Sequence, residues 1–423
     1  MNITDFLDII MYFVVFIGVG LIVFGVWPMI YGRLNALRAT CIGLGTFGFI
    51  SMARYWYVES YYRSLPEAIV IETICWFFTS SLLIFLGYWM GKYSYPYLFS
   101  KRTVYLNPGN ETKLYFPNVF IAVSILIALI YISLERIPLF SIVGHLVKAF
   151  ILIFFYLWIV TEKRKYLYVA LILFSFGVFD TSRRAYVSLF IPCFLLYFEY
   201  VRMKNKKISL RLKILSIAAL VVLFFYLNWL RSEHDFGEGY QESDRIANTM
   251  DYIVTLRSID VFYNTGFLIN NIPDRYGYFY GKTYLSIAVG LIPRSVWPEK
   301  PVSLGSILGL MIRYNVGDFD EAMWEKSQQY SLSPGFIGEA YANFGYYGIV
   351  FASLILGFIA AIFDKKILKS SLLSPHIFPW SVWLGSFILL HRGSLYAICS
   401  NNISDFYFYF FSYFVSFIIK KKI

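Results

Sequence analysis

Residues 331 to 357 read SLSPGFIGEAYANFGYYGIVFASLILG and contain one charged side chain, that of Glu339. Ser333 and Pro334 are residue types that favour the start of a helix. The apolar pattern continues to about residue 362 and exceeds the roughly 20 residues that a helix needs to cross a bilayer. The stretch therefore predicts a membrane-spanning helix over residues 335–362.

The composition of the whole chain also indicates a protein that lies in a membrane. Of the 423 residues, 58% are hydrophobic, 21% are aromatic and 15% are charged, whereas soluble proteins have roughly 25% charged residues. This apolar surface exceeds what one soluble core can bury. We predict an all-α polytopic membrane protein with about 11 transmembrane helices, within a range of 10 to 12. The predicted spans are roughly 9–29, 39–58, 68–90, 118–134, 146–161, 166–179, 185–201, 214–230, 335–362, 377–390 and 404–419.

The positive charge is distributed as in a membrane protein. The formal net charge of +11 lies in short links between apolar runs, so nucleic acid is not the implied partner. Lys and Arg accumulate in cytoplasmic loops. If the amino terminus lies outside and the carboxyl terminus lies in the cytoplasm, 21 basic residues fall in inward segments and five fall in short outward segments. We therefore predict this orientation.

One long segment, residues 231–334, falls outside in this topology. Its 13 acidic residues outnumber its nine basic residues, so it is too polar to lie in the membrane. The apolar run from Leu285 to Ile292 is too short to cross, and Pro293 stops it, which predicts a re-entrant or interface-lying helix. An amphipathic helix is predicted by apolar residues at helical spacing, namely Tyr252, Leu256, Ile259, Tyr263 and Phe267.

These spans predict three parts of the chain. Residues 1–230 form an amino-terminal bundle of about eight helices, residues 231–334 form the large extracytoplasmic loop, and residues 335–423 add about three helices.

Arginines near the outward ends of the predicted spans are the first candidates for chemistry. Guanidinium grips phosphate bidentately, so several arginines at similar depth favour a site for a lipid phosphate or diphosphate. The alternative is that they reach headgroups or pair with acids such as Glu72. The set comprises Arg54, Arg183, Arg184, Arg231, Arg294 and Arg392.

The segment from Thr283 to Pro301, TYLSIAVGLIPRSVWPEKP, contains three prolines within nine residues. The prolines stiffen the backbone and hold Arg294 and Lys300 in place, while Trp297 anchors the segment at the membrane interface. The segment is either a stop after a half-helix or a preorganised cationic loop that stabilises charge on a leaving group.

Glu339 and Asn343 are four residues apart and share one helix face near the outer mouth. A carboxylate at the rim of a membrane helix needs a partner. Glu339 would therefore either pair with an arginine or act in catalysis. Gly338, Ala342 and Gly345 favour close approach of a neighbouring helix.

Histidines and a short acidic motif are weaker candidates. His234 and His391 are possible general bases. The motif Asp318-Phe-Asp320 resembles the metal-holding D-x-D of soluble sugar transferases, but it is short and common, so no metal site is predicted.

Two stretches together resemble the Wzy-type oligosaccharide repeat unit polymerases of bacterial O-antigen and capsule synthesis. They are YGYFYGKTYLSIAVGLIPRSVWPEKP, from Tyr276 to Pro301, and GFIGEAYANFGYYGIVFASLILG, from Gly335 to Gly357. TSRRAY, from Thr181 to Tyr186, is similar to a short Ser-Arg link between two mid-chain helices of such proteins.

The resemblance implies a membrane glycosyltransferase with a GT-C-like architecture in the bacterial cytoplasmic (inner) membrane. Such an enzyme moves a growing glycan from undecaprenyl diphosphate to a sugar hydroxyl of the next lipid-linked repeat unit. Its partners would be undecaprenyl-diphosphate-linked oligosaccharides and the bilayer, with a flippase and a chain-length regulator of the same pathway, and no cofactor is implied.

The same resemblance suggests roles for individual residues. Glu339 would be the base, with His234 as the second candidate, and Arg294 would act at the leaving group. Asn343 and Trp297 would complete the substrate site. The diphosphate would be held by Arg183, Arg184, Arg231, Arg294 and Lys300.

Three other classes of protein remain open at this point. An O-antigen ligase would use the same donor but a different acceptor. A transporter of lipid-linked oligosaccharides would carry its charges inside the bundle rather than in a long outer loop. A structural membrane partner would not require outward arginines together with a rim carboxylate.

The orientation is testable by labelling single cysteines at Ser243 and Ser370 in a chain without its native cysteines. An impermeant thiol reagent added to intact cells is expected to label position 243 and not position 370, because only the acidic segment lies outside. Equal labelling of both positions, or labelling of position 370 alone, would show that the topology is wrong.

Overall fold

The computed structural model describes part of the chain, and all structural statements below concern that part. The described residues are 3–28, 35–62, 65–98, 125, 141–177, 193, 196, 197, 201, 260–289, 292, 296, 297, 299–314, 332–369 and 378–401.

The regular elements within these ranges are helices, as the sequence predicts. They are α1 Ile3–Val26, α2 Ala36–Gly43, a π-helix Leu44–Phe49, α3 Ile50–Tyr62, α4 Glu67–Leu98, α5 Ser141–Thr161, α6 Arg164–Gly177, α7 Val261–Asn271, α8 Lys282–Val289, α9 Leu304–Tyr314, α10 Gly335–Lys369, α11 Phe378–Leu389 and α12 Leu395–Asn401.

Four helical stretches in the described residues are long and apolar enough to cross a membrane. They are Ile9–Val26, Ala36–Trp56, Glu67–Ser94 and Gly335–Lys365. Each coincides with a predicted span, so the prediction is confirmed at these four places. The predicted spans 118–134, 185–201, 214–230 and 404–419 lie almost wholly outside the described residues, and the total of 11 stays a prediction.

The chain divides into two compact units. One comprises Met1–Lys92, Ser209–Asp364 and Ser386–Ser400, and the other comprises Tyr93–Ile208, Lys365–Gly385 and Asn401–Ile423. This division does not test the three predicted parts of the chain, which remain a prediction.

In the second unit, α5 and α6 form a helical pair. They are joined by Glu162 and Lys163, and Glu162 takes the left-handed conformation with φ 58°. The ring of Tyr166 in α6 is buried and lies 6.3 Å from that of Phe154 in α5. Burial of aromatic rings therefore holds the pair together beside the basic link.

In the first unit, α4 and α10 cross in close contact. A side chain in place of Gly87 or Gly357 would collide with the backbone of the opposite helix. The buried hydroxyls of Ser80 and Ser353 are 2.7 Å apart and bond across the same interface. Small residues and serine pairs are the usual means by which membrane helices approach each other.

Near its carboxyl end, α10 is joined to two other helices by Asp364. Its buried carboxylate accepts hydrogen bonds from the Ala36 amide (2.5 Å) and the Tyr88 hydroxyl (2.8 Å). The first of these satisfies an amide at the start of α2 that has no partner within its own helix.

Helix α7 confirms helical structure at Tyr263 and Phe267 of the predicted amphipathic segment, whereas Tyr252, Leu256 and Ile259 lie outside the described residues. Tyr263 and Phe267 are half-buried, whereas Phe262 and Leu268 are fully buried. The Phe262 amide donates to Ser51 Oγ at 2.9 Å. Helix α7 packs against the first helices and α10 on a face that includes small and polar residues, which apolar spacing alone did not indicate.

Two other short helices lie in this region. Helix α8, Lys282–Val289, confirms helical structure in the predicted apolar run from Leu285 to Ile292, of which residues 290 and 291 lie outside the described residues. Helix α9 was not predicted, although Leu304, Leu308 and Met311, at helical spacing, are all buried.

Helix α10 begins at Gly335, one residue after Pro334, and is broken near its first third. Phe344 (φ −140°, ψ 19°) and Gly345 (φ 62°, ψ −148°) leave the helical conformation. The break divides the predicted span into a short arm, residues 335–343, and a long arm, residues 346–369. Gly345 was predicted to serve helix packing, but its positive φ shows that it serves the turn of the backbone.

Replacing Gly345 with Ala is expected to lower the thermal unfolding midpoint of the detergent-solubilised protein. The conformation costs an alanine about 1–3 kcal/mol, and its Cβ would lie 3.0 Å from the Tyr278 hydroxyl. Gly20→Ala is the control, because a Cβ there meets nothing within 4 Å and helical alanine is favoured. An unchanged midpoint in Gly345→Ala would contradict the broken helix.

Candidate functional site

The break in α10 is covered by the loop that precedes α8. The amides of Phe279 and Tyr280 donate to the carbonyls of Ala342 (3.0 Å) and Asn343 (3.1 Å). The Gly281 amide donates to Asn343 Oδ1 at 2.9 Å. The backbone groups released by the break are thus paired with loop amides.

Glu339, one turn before the break, is 1% exposed. Its Oε2 accepts a hydrogen bond from the Leu395 amide at the start of α12 (2.6 Å), and its Oε1 accepts a longer one from the Thr283 hydroxyl (3.4 Å). The carboxylate is covered by α8 and α12, and its predicted position at the rim of the membrane helix stays a prediction. Both of these hydrogen-bond donors are neutral groups, and they come from two other segments of the chain.

Asn343 joins the same network. Its Nδ2 donates to Thr283 Oγ1 at 2.7 Å and to the Glu339 carbonyl at 2.8 Å. Because Asn343 donates to the Thr283 oxygen, the hydroxyl proton of Thr283 is left to point at Glu339. The predicted pair Glu339 and Asn343 is therefore brought together through Thr283, a residue that the sequence analysis did not single out.

Two further titratable groups are influenced by Glu339. Burial, with the Glu339 charge adding, raises the pKa of the Tyr284 phenol. The same two causes raise the pKa of the Cys399 thiol to about 11. Both groups stay protonated at neutral pH, so neither is a nucleophile there.

The turn between α11 and α12 closes the amino-terminal end of α10. The amides of Gly335 and Phe336 donate to the carbonyls of Arg392 (3.2 Å) and Leu390 (3.1 Å). His391 in this turn is buried against the Phe336 ring, with ring centroids 4.9 Å apart. Its Nε2 has no hydrogen-bond partner within the described structure, and burial lowers its pKa to about 3.

The two remaining predicted site residues in the described ranges lie after α8. The Lys300 ammonium donates to the Ile292 carbonyl at 2.6 Å, which ties the two sides of the proline-rich segment together. Trp297 is exposed. The structure assigns no contact between these residues and Glu339.

The other predicted site residues lie outside the described residues, so their roles stay predictions. They are Arg183, Arg184, Arg231, His234 and Arg294. Asp318 and Asp320 also lie outside, and within the described ranges no group of three or more His, Cys, Asp or Glu side chains is arranged to hold a metal.

Two arginines of the outward set are described. Arg54 forms an ion pair with Asp260, the residue that precedes α7. Arg392 lies over the ring of Phe47, with 6.0 Å from Cζ to the centroid. The alternative that outward arginines pair with protein carboxylates is therefore correct for Arg54.

Two hydrogen-bond donors of the site were not predicted from the sequence. The Thr283 hydroxyl stands at the first position of the quoted proline-rich segment, and its three-residue spacing to the buried Ser286 was an available signal for an inward face. The Leu395 donor is a backbone amide, and no side-chain pattern reveals it.

A buried carboxylate, an amide and a hydroxyl at an interrupted helix are typical of the polar centres of membrane proteins. Non-helical backbone at membrane depth is tolerated only where protein covers it or a cavity adjoins it. Together with the four candidate spans, this site defines a multi-pass, helical membrane protein.

The family is shown by the sequence comparison. The sequence model described as "O-antigen polysaccharide polymerase Wzy" matches residues 41–422, and the chain belongs to that bacterial family. The two resembling stretches lie inside the match and contact each other through the loop and break described above.

Individual relatives are more distant. The chain is similar to proteins named O-antigen polymerase from Salmonella typhimurium and Salmonella typhi, each 24% identical over 223 residues. The alignment covers 51% of this chain and 47% of each relative, so the chain spans about half the length of these curated relatives. No solved structure matches the chain.

Thr283→Val is expected to lower the thermal midpoint, because it leaves one Asn343 donor and one Glu339 oxygen short of a buried partner, at a cost of about 1–3 kcal/mol. Thr283→Ser retains the hydroxyl and is expected to retain most of the stability. Thr79→Val, at an exposed position of α4, is the control. Equal midpoints for Thr283→Val and the control would contradict the network.

Proposed function

We propose that this protein polymerises lipid-linked oligosaccharide repeat units. The growing glycan would move from a polyprenyl diphosphate to a sugar hydroxyl of the next lipid-linked unit, on the outer face of the cytoplasmic membrane. Family membership supports the class of reaction, and the observation that carries the mechanism is the buried carboxylate of Glu339 at the break of α10.

The reaction requires one bond to form and one to break. The acceptor oxygen bonds to the anomeric carbon of the donor glycan, while the bond from that carbon to the diphosphate oxygen breaks. Polyprenyl diphosphate leaves with the electron pair, and the acceptor proton must be taken up by a base. Because diphosphate is a good leaving group, the protein has to supply mainly this base and positive charge for the diphosphate.

Glu339 is our candidate for the base. Of the two hydrogen bonds described above, the one from the Thr283 hydroxyl is long at 3.4 Å, compared with about 2.7–2.8 Å for a typical O–H···O bond. An acceptor hydroxyl at the position of the Thr283 hydroxyl would direct its proton at Glu339 Oε1. The Leu395 amide, at 2.6 Å, would keep the other oxygen fixed during the transfer.

The diphosphate would be held by cationic side chains. Arg183, Arg184, Arg231, Arg294 and Lys300 are the proposed set, with Arg294 at the leaving group. The Lys300 ammonium donates to the Ile292 carbonyl, and Arg294 lies between these two residues in the sequence. The guanidinium forks of the four arginines would bind diphosphate oxygens in pairs without a metal.

The proposal includes the cellular setting. The donor and acceptor would both be undecaprenyl-linked, and a flippase and a chain-length regulator would act with the protein in the same membrane. The amino terminus would face outward and the carboxyl terminus the cytoplasm, which puts the loop 278–281 and the short arm of α10 on the glycan side.

The decisive test supplies purified protein with synthetic lipid-linked repeat units and separates the products by size. A ladder of products differing by one repeat unit is expected, and Glu339→Gln is expected to abolish it at normal protein levels, because glutamine keeps the shape but not the basicity. In a parallel reaction with added lipid A core, a single transfer to that acceptor without a ladder would indicate a ligase instead.

Asp364→Asn provides the matched control for Glu339→Gln. Asp364 is a second buried carboxylate of α10 that likewise accepts one backbone amide and one hydroxyl. If Glu339 were only structural, both variants would lose protein level and activity in parallel. Full activity of Glu339→Gln would place the base elsewhere, with His234 the next residue to test.

A further inference from the structure

Five aromatic rings form a continuous row across the break of α10. From Tyr280 the row passes through Tyr278, Tyr341 and Tyr346 to Trp76, with successive centroids 6.2, 6.1, 5.1 and 4.8 Å apart. Such distances are those of direct ring contact. We refer to these five residues as the aromatic row.

The middle of the aromatic row is fixed and its two ends are open. Tyr341 is 2% exposed and donates its hydroxyl to the Ile272 carbonyl at 3.0 Å. Tyr280 is 75% exposed at one end and Tyr346 is 38% exposed near the other. Trp76 is half-buried and stacks on Tyr346 with an interplanar angle of 13°.

A carboxylate lies at the Trp76 end of the aromatic row. Glu72 accepts a hydrogen bond from the Tyr346 hydroxyl and stands one helical turn before Trp76 on α4. A carboxylate accepts up to about four hydrogen bonds, so Glu72 has capacity for further donors. An apolar ring surface and a strong acceptor thus lie side by side.

This combination matches the surface of a sugar. One face of a pyranose ring presents polarised C–H bonds, which are attracted to the negative face of an aromatic ring, and its edge presents hydroxyl donors. The same end does not suit a phosphate, because Glu72 repels anions. The diphosphate of a lipid-linked substrate would therefore lie elsewhere.

We propose that the Trp76 end of the aromatic row, with Glu72, is a subsite for a sugar unit of the lipid-linked glycan. One sugar ring stacks on the Trp76–Tyr346 pair and donates a hydroxyl to Glu72. This assignment rests on the proposed function, and it adds a glycan subsite on the face of α10 that carries Tyr341, away from the Glu339 face. The loop 278–281 connects the two, because it contains Tyr278 and Tyr280 and also covers the break.

The alternative is that these rings only anchor the protein at the membrane interface, where Trp and Tyr are common. An interface anchor predicts no dependence of glycan affinity on either Trp76 or Glu72. The two explanations therefore differ in substrate affinity rather than in stability.

The test uses the full chain in lipid nanodiscs and two substrates. Transfer is measured with lipid-linked repeat units, and binding is measured separately with the free repeat-unit oligosaccharide cut from its lipid by mild acid. Trp76→Ala and Glu72→Gln are expected to raise KM and the oligosaccharide Kd about 10-fold or more with kcat within about twofold, the loss expected for one charge-assisted hydrogen bond or stacked ring.

Both variants have matched controls on the same helix. Trp89→Ala removes an exposed Trp 13 residues further along α4, and Glu67→Gln removes an exposed carboxylate in its first turn. Trp76→Phe retains a ring and is expected to recover most of the affinity, which also guards against a folding defect in Trp76→Ala.

The outcomes separate this proposal from the proposed function. If wild-type protein forms the product ladder and the Trp76 and Glu72 variants behave like their controls, the subsite is overturned while the polymerase proposal stands. If no ladder forms but free oligosaccharide binds in a Trp76-dependent manner, the polymerase proposal fails and the glycan subsite stands. Loss of kcat at unchanged KM would also overturn the subsite.

Discussion

The arrangement of the first unit depends on the backbone pairing between the loop 278–281 and the break in α10. A helix interrupted inside a membrane bundle exposes carbonyl and amide groups that lipid cannot satisfy, and each costs several kcal/mol if left alone. Here the amides of Phe279 and Tyr280 satisfy the carbonyls of Ala342 and Asn343. This pairing permits the sharp turn at Gly345 and, through it, brings Thr283 to Glu339.

The two buried carboxylates of α10 use the same chemistry at different places. Glu339 and Asp364 each accept one backbone amide from another helix start and one hydroxyl from another segment. The Asp364 contacts are both short, at 2.5 and 2.8 Å, whereas Glu339 has one short and one long contact. This difference supports the proposed chemical role of Glu339 and is the reason for using Asp364 as its structural control.

The sequence predicted those features that depend on local composition. The four described spans follow from apolar length, and Glu339 and Asn343 were recognised because polar residues are costly in a membrane helix. The break at Gly345 was not predicted, since a glycine in an apolar run indicates close packing as readily as a positive φ. The Thr283 and Leu395 donors are each 56 residues from Glu339 in the chain, and such contacts are determined by tertiary structure alone.

The position of these two donors has a consequence for the order in which a ribosome completes the site. Glu339 meets Thr283 from the chain already synthesised, but it must wait another 56 residues for the Leu395 amide. During that interval a carboxylate destined for burial has one of its two donors missing, and a buried charge without partners is strongly destabilising. A nascent chain that stops before residue 395 therefore cannot complete the hydrogen bonds of Glu339, and the site depends on synthesis of the chain through α12.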